Sequence, residues 1–249
     1  MSERPSEAVP QTMTDHTLKF FGQELDQLKA EVARMGGLAE TQVADAVEAV
    51  GRRDLALAQA VVVRDEKLDI LQHEIERKAI RMIALRQPVA QDLRRTVAAM
   101  KMSWSLERTG DQAKSIAKRA LMIAESEPII PVTRSIVRMG KLVVGRLKDA
   151  LDAYTSGAVE RARGVWQSDD EVDEHYNSVF RELLTYMMGD PRTIGSCTQL
   201  LFIAKNLERI GDYATNIAEM ALYEITGEEI EGERPKGAEA HSNPPEGPV

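Results

Sequence analysis

Glu107-Arg108-Thr109-Gly110-Asp111 returns 101 positions later as Glu208-Arg209-Ile210-Gly211-Asp212. No other feature limits the fold of this chain so strongly. At the same shift Ile116-Ala117 matches Ile217-Ala218, and Ala120-Leu121 matches Ala221-Leu222. At a shift of 104, Met35-Gly36 returns as Met139-Gly140, and Asp65 and Asp69 return as Asp169 and Asp173. Several matches in one order mark a supersecondary unit used twice, whose copies bury their apolar faces together.

The unit is helical. The chain has no alternating strand pattern and no Asn-Gly or Asp-Gly hairpin turn. Proline removes a helical hydrogen bond and clashes with the preceding turn, so Pro88, Pro128, Pro131 and Pro191 divide the interior. Weaker breaks lie near Gly51 and at Ser156-Gly157. Six helices are predicted, over 14–50, 54–86, 89–126, 132–155, 158–188 and 192–226. In the last, Leu200, Ile203, Leu207, Ile210, Ala214, Ile217 and Ala221 recur at steps of three and four, which puts them on one face. Long helices joined by short turns pack antiparallel. The predicted fold is all-α: two tandem three-helix bundles, residues 14–126 and 132–226, related by the internal repeat. Residues 1–13 are expected to be a disordered lead-in and 227–249 a disordered acidic tail. Aromatics are only 4% of the residues, so aliphatic side chains must fill the core.

The net charge of −8 argues against nucleic acid, whose binding rests on Lys and Arg meeting phosphates, and against direct docking on anionic lipid. Cys197 is the only cysteine, which fits a reducing compartment. The N-terminus lacks the pattern of a signal peptide, and no run approaches the ~20 apolar residues of a membrane helix. A cytoplasmic location is expected, with membranes reached only through protein partners.

The repeated residues are acidic. Asp65 and Asp69, and Glu107 and Asp111, sit four apart, one helical turn from each other on one face; Asp169, Asp173, Glu208 and Asp212 repeat them. Pro88 lies 21 residues from the midpoint of each pair in the first copy, so a reversal there brings the four carboxylates level. The centre of the second set falls at Gly189-Asp190-Pro191. Converging carboxylates repel, and a cation could offset that. Oxygen ligands suit Mg, Mn or Ca, and Zn or Fe are also candidates. Arginines such as Arg108 and Arg209 could supply the counter-charge instead. Gly110 and Gly211, each costing ~1 kcal/mol inside a helix, point to a close helix approach or to exposed backbone near a ligand. His73 reads as polar surface, since Asn177 stands at its place in the other copy. Asn206 and Asn216 flank the second acidic motif and could orient carboxylates.

No phosphate loop, dinucleotide fingerprint or nucleophile elbow is present, Cys197 has no evident His partner, and no Glu-x-x-His pair of a di-iron bundle occurs. No catalytic residue is assigned.

Ile83-Ala84-Leu85-Arg86-Gln87-Pro88-Val89-Ala90-Gln91-Asp92-Leu93-Arg94, the Glu107–Asp111 motif and Asn206-Leu207-Glu208-Arg209-Ile210-Gly211-Asp212 together resemble the PhoU family of bacterial phosphate-uptake regulators. The similarity runs over about residues 15–226 and includes the two-copy layout. The resemblance implies two three-helix bundles side by side, commonly as a homodimer. It also implies a non-enzymatic negative regulator of phosphate uptake and phosphate-starvation signalling. Such a protein works with a phosphate ABC transporter ATPase and a sensor histidine kinase. Some family members bind iron or other divalent metals through Glu/Asp-x-x-x-Asp motifs, which here are the eight carboxylates named above. The second hairpin lacks the Leu-Arg-Gln-Pro phrase and Thr109 replaces isoleucine, but neither departure removes a carboxylate. The alternative reading is a metal-binding helical-bundle protein, either a carboxylate metal store or a metal-dependent enzyme.

Overall fold

The computed structural model describes residues 11–124, 131–228 and 230, with side chains from Phe21 onward. Residues 1–10, Pro128 and residues 231–249 lie outside the described residues. The helices are α1 (Gln11–Arg52), α2 (Leu55–Arg64), α3 (Glu66–Arg86), α4 (Ala90–Ile123), α5 (Thr133–Ser156), α6 (Val159–Gln167), α7 (Asp170–Gly189) and α8 (Ile194–Thr226), with a short 3₁₀ turn at Pro191–Thr193. No strand occurs among the described residues. These segments make six antiparallel rods, because α2–α3 and α6–α7 are each one rod interrupted part-way.

Two details depart from the sequence expectation. α1 takes in residues 11–13, part of the expected lead-in. The helices expected over 54–86 and 158–188 are interrupted at Asp65 and at Ser168-Asp169. Asp65 keeps right-handed helical angles (φ −56°, ψ −37°), so the first break is a hitch rather than a loop. It falls at a carboxylate held by neighbouring helices.

The ends follow local rules. The Asp54 carboxylate accepts a hydrogen bond from the Leu57 N–H (2.9 Å) and caps α2. α3 stops at Gln87, whose φ of 48° is left-handed and whose N–H reaches the Ile83 carbonyl, with Pro88 next. Asp190 accepts from the Arg192 N–H, with Pro191 opening the turn. Gly227 (φ 78°) ends α8.

α1, α4, α5 and α8 form a central four-helix group in which α4 packs on α8 and α1 on α5, so the two copies share one core. α2–α3 lies outside against α1 and α4, and α6–α7 against α5 and α8. All seven residues of the predicted α8 stripe are buried. The copies meet tightly. A Cβ on Gly36 of α1 would strike the Leu151 side chain of α5, and one on Gly140 of α5 would come within 2.5 Å of Val47 Cγ2 on α1. Gly36 and Gly140 are repeat partners, and so are Val47 and Leu151, so this crossing is the same contact made twice about an approximate two-fold axis. No helix of the described residues is long and apolar enough to cross a membrane.

Candidate functional site

In the first copy the interruption of the second rod carries Asp65 inward to 1% exposure. Burying a carboxylate is costly unless it is paired and hydrogen-bonded. Both requirements are met. Gln42 Nε2 on α1 donates to Asp65 Oδ1 (2.8 Å), and Lys114 Nζ on α4 donates to Oδ2 (2.6 Å). Gly110 makes this possible. A Cβ there would strike Leu68 and lie 3.2 Å from Asp65 Oδ1, so only glycine lets α4 approach the start of α3 without displacement. Its carbonyl also accepts from Gln42 Nε2 (3.4 Å). Close packing, not a ligand, accounts for this glycine.

The remaining acids of the copy stand half-buried beside that centre: Asp69 on α3, Glu107 and Asp111 on α4. The levelling expected from Pro88 holds here. Burial, and then the charges of Asp65 and Asp111, push the Asp69 carboxyl above its ordinary value, against the pull of Lys114. Burial and then Asp111 do the same to Glu107, against Arg108. The hydrogen bond to Asp65 raises the Lys114 ammonium. Arg108 lies 3.8 Å from Glu107 and is mostly exposed, so Lys114 is the principal counter-charge.

The second copy uses different residues at the same places. Asp169 is also buried, and Thr215 Oγ1 on α8 donates to it (2.6 Å). By the repeat shifts Thr215 stands where Lys114 stands, and Arg146 stands where Gln42 stands. Arg146 is buried on α5 and donates to Glu171 (2.8 Å). The cation at these paired positions thus lies on the third helix of the unit in the first copy and on its first helix in the second, where its partner is Glu171. Asp173, Glu208 and Asp212 are half-buried. Lys205 pairs with Glu208 Oε1 (2.8 Å), while Glu208 Oε2 is buried without a hydrogen-bond partner among the described residues. Gly211 repeats the close approach more loosely, with a built Cβ 3.1 Å from Val172 Cγ1.

The eight predicted carboxylates therefore divide by role. Asp65 and Asp169 are buried and hydrogen-bonded within the fold. Asp69, Glu107 and Asp111, and Asp173, Glu208 and Asp212, are half-buried at two places equivalent by the repeat. An all-oxygen set of this kind suits a hard cation. Among the described residues no three of His, Cys, Asp or Glu converge closely enough to ligate one ion as they stand. A cation would have to draw the carboxylates together, and in the first copy it would compete with Lys114. The orphaned Glu208 oxygen makes the second copy the better fit. His73 is polar surface, its Nδ1 2.7 Å from the Asp69 carbonyl oxygen. Asn206 is buried and its Nδ2 meets no acceptor among the described residues. Cys197 is buried, and desolvation pushes its thiol up, away from nucleophile character.

The sequence reading missed Gln42, Lys114, Arg146 and Thr215. The signal was the repeat itself: laid over one another, the copies differ at these two positions while both aspartates persist.

Comparison with known proteins agrees with this architecture. The model of the PhoU domain family matches residues 32–120 and again 136–221, one match per copy. The chain is 67% identical over 224 residues to a phosphate-specific transport system accessory protein PhoU homolog of Caulobacter vibrioides, covering 90% of this chain and 97% of that one. A protein of the same description from Rhizobium meliloti is 48% identical over 221 residues, 89% of this chain and 93% of the relative. Among solved structures, PhoU from Pseudomonas aeruginosa superposes with a TM-score of 0.81 at 38% identity, covering 84% of this chain and all of that one. The phosphate transport system regulatory protein PhoU from Streptococcus pneumoniae gives 0.78 at 31% identity, covering 84% of this chain and 99% of that one. With both helical units matched in order and nearly the full length of each relative covered, the chain belongs to the PhoU family.

Proposed function

We propose that this protein is an accessory protein of a phosphate-specific transport system: a non-enzymatic negative regulator of phosphate uptake and phosphate-starvation signalling. It works in the cytoplasm as a homodimer between the transporter ATPase and a sensor histidine kinase. The observation that carries the reading is the 67% identity to the Caulobacter accessory protein across both helical units. The surface suits protein partners. Leu85 and Val89 at the α3–α4 hairpin, and Met188 and Ile194 at the α7–α8 hairpin, are exposed large apolar side chains at turns. The two hairpins lie at opposite ends of the antiparallel bundle, which offers one apolar tip to each of two partners. The test is alkaline phosphatase activity in a gene deletion grown with ample phosphate. High activity that complementation returns to baseline is expected; normal repression, with no second gene copy, would sink the reading.

A cation-responsive surface is the second reading, favoured by the orphaned Glu208 oxygen. Asp173, Glu208 and Asp212 would hold a hard cation there, with Asp69, Glu107 and Asp111 weaker because Lys114 is already present. Mn²⁺ should then raise the melting temperature of the intact chain, and Asp173→Asn/Glu208→Gln/Asp212→Asn should remove that rise. An equal rise in the triple variant counts against it.

A further inference from the structure

At the end of the bundle that carries the α7–α8 hairpin, four helix ends leave a cavity of about 970 Å³ between them. The closing turns of α1, the last residue of α4 and the first turns of α5 and α8 line it. Its floor is aliphatic. Val47, Val50, Ile123 and Leu200 are buried there, and Val137 and Val144 are half-buried. Among the described residues no aromatic side chain lines it. Among the same described residues its rim is cationic: Arg52, Arg53, Arg134 and Lys141 stand against one acid, Glu48, which already pairs with Arg52 (2.7 Å). In a chain of net charge −8 this is a local inversion of sign.

Helix ends of both signs also meet at this space. α5 opens at Thr133 and α8 at Ile194, with Thr133 and Ser196 on the wall, so the positive ends of two helix dipoles border the space. Arg53 Nη2 donates to the Ile123 carbonyl (2.6 Å) and so places an arginine on the C-terminal end of α4, while α1 also ends beside the space. Three guanidinium groups and one ammonium around an aliphatic floor match a molecule with a dianionic head and an aliphatic body. Guanidinium favours phosphate because its forked donors meet two oxygens at once. The volume falls in the range of small-molecule sites, ~300–1,000 Å³.

The opposite end shows why this one is open. There the repeat partners of the lining residues fill the equivalent space: Tyr154 is buried with Lys29 over its ring (5.2 Å), and Glu224 is buried beside Arg95 (3.6 Å). Among the described residues the two-fold relation between the copies therefore breaks at the bundle ends, one closed by its own charged and cation–π contacts and the other left hollow with a basic rim.

We infer that this cavity is a binding site for a phosphate monoester carried on an aliphatic body, with Arg52, Arg53, Arg134 and Lys141 at the head and the valine floor beneath the chain. The inference stands on the cavity and is independent of the regulator reading. The ester could be a free metabolite or a lipid headgroup, and the test separates them.

Hexyl phosphate titrated calorimetrically into the full chain should bind saturably, one per protomer, and inorganic phosphate should bind at least about tenfold more weakly because it leaves the floor unused. Arg134→Glu/Lys141→Glu reverses two exposed charges, and should weaken hexyl phosphate by at least about tenfold with an unchanged melting curve. Sedimentation with vesicles containing phosphatidic acid, a lipid phosphate monoester, should show no binding. Vesicle binding that hexyl phosphate competes away would support the site with a lipid as its source. No saturable binding of hexyl phosphate, equal affinity for inorganic phosphate, or binding unchanged in the double variant would each overturn the inference.

Discussion

At the scale of residues, the two copies solve one problem in two ways. Each buries an aspartate at the break in its second rod and must neutralise it. The first uses Gln42 and Lys114, whereas the second places Arg146 and Thr215 at those positions. Lys114→Thr alone should cost about 2–3 kcal/mol in urea unfolding, because it removes a charge-assisted bond from a buried carboxylate. Adding Gln42→Arg should return about 1 kcal/mol or more as coupling between the two sites. No recovery in the double variant would show that the positions are not interchangeable. Asp69 and Glu107 behave oppositely to Asp65. Their folded pKa values are raised, so the folded state binds protons more tightly than the unfolded chain, and their contribution to stability falls as pH rises through the raised values. Asp69→Asn/Glu107→Gln should therefore stabilise the protein at pH 7 by a few tenths of a kcal/mol, the size of a like-charge helix pair. The gain should vanish near pH 3.5 and shrink in high salt. A melting temperature that drops at pH 7 would contradict the repulsion.

At the scale of elements, glycines decide which helices touch. Gly140 meets Val47, a β-branched side chain stiff at χ1, with its Cβ 3.2 Å from the built position. Gly140→Ala should cost about 1–3 kcal/mol through overpacking. Gly145, on the same helix with nothing within 4 Å of a built Cβ, should tolerate alanine and gain from its helix propensity. Chemical denaturation of the two variants separates the effects, and equal losses would mean that the α1–α5 crossing is looser than described. Sequence periodicity sufficed for the α8 stripe because packing follows a 3.6-residue repeat. It did not reveal the hitch at Asp65, because Leu68 and Leu71 keep the helical spacing on through it. The hitch falls at the carboxylate that Gln42 and Lys114 hold, and both are distant from it in sequence.

At the scale of the whole molecule, the copies are not independent domains. The α4–α8 and α1–α5 packing joins them through one core. Residues 11–124 produced alone would expose the α4 and α1 faces that α8 and α5 cover. That piece should melt without a sharp transition or self-associate, in contrast to the intact chain. Cooperative, monomeric unfolding of this piece would show that each three-helix unit carries its own core. The bundle ends also belong to this scale. The cavity at the α7–α8 end draws on four helices, and its charged rim joins the end of α1 to the start of α5, far apart in sequence.

The sequence by itself determined the helical class, the duplication, the proline-marked hairpins and the residues of the acidic motifs. Each of these follows from local stereochemistry or from comparing the chain with itself. Only the tertiary structure decided that Asp65 and Asp169 turn inward while their partners stay at the surface, that Lys114 supplies the cation in one copy and that Arg146 is the buried cation of the other, and that one end of the bundle is hollow. Burial, pairing and cavities depend on which helices lie side by side, and that is set by the packing of residues tens of positions apart.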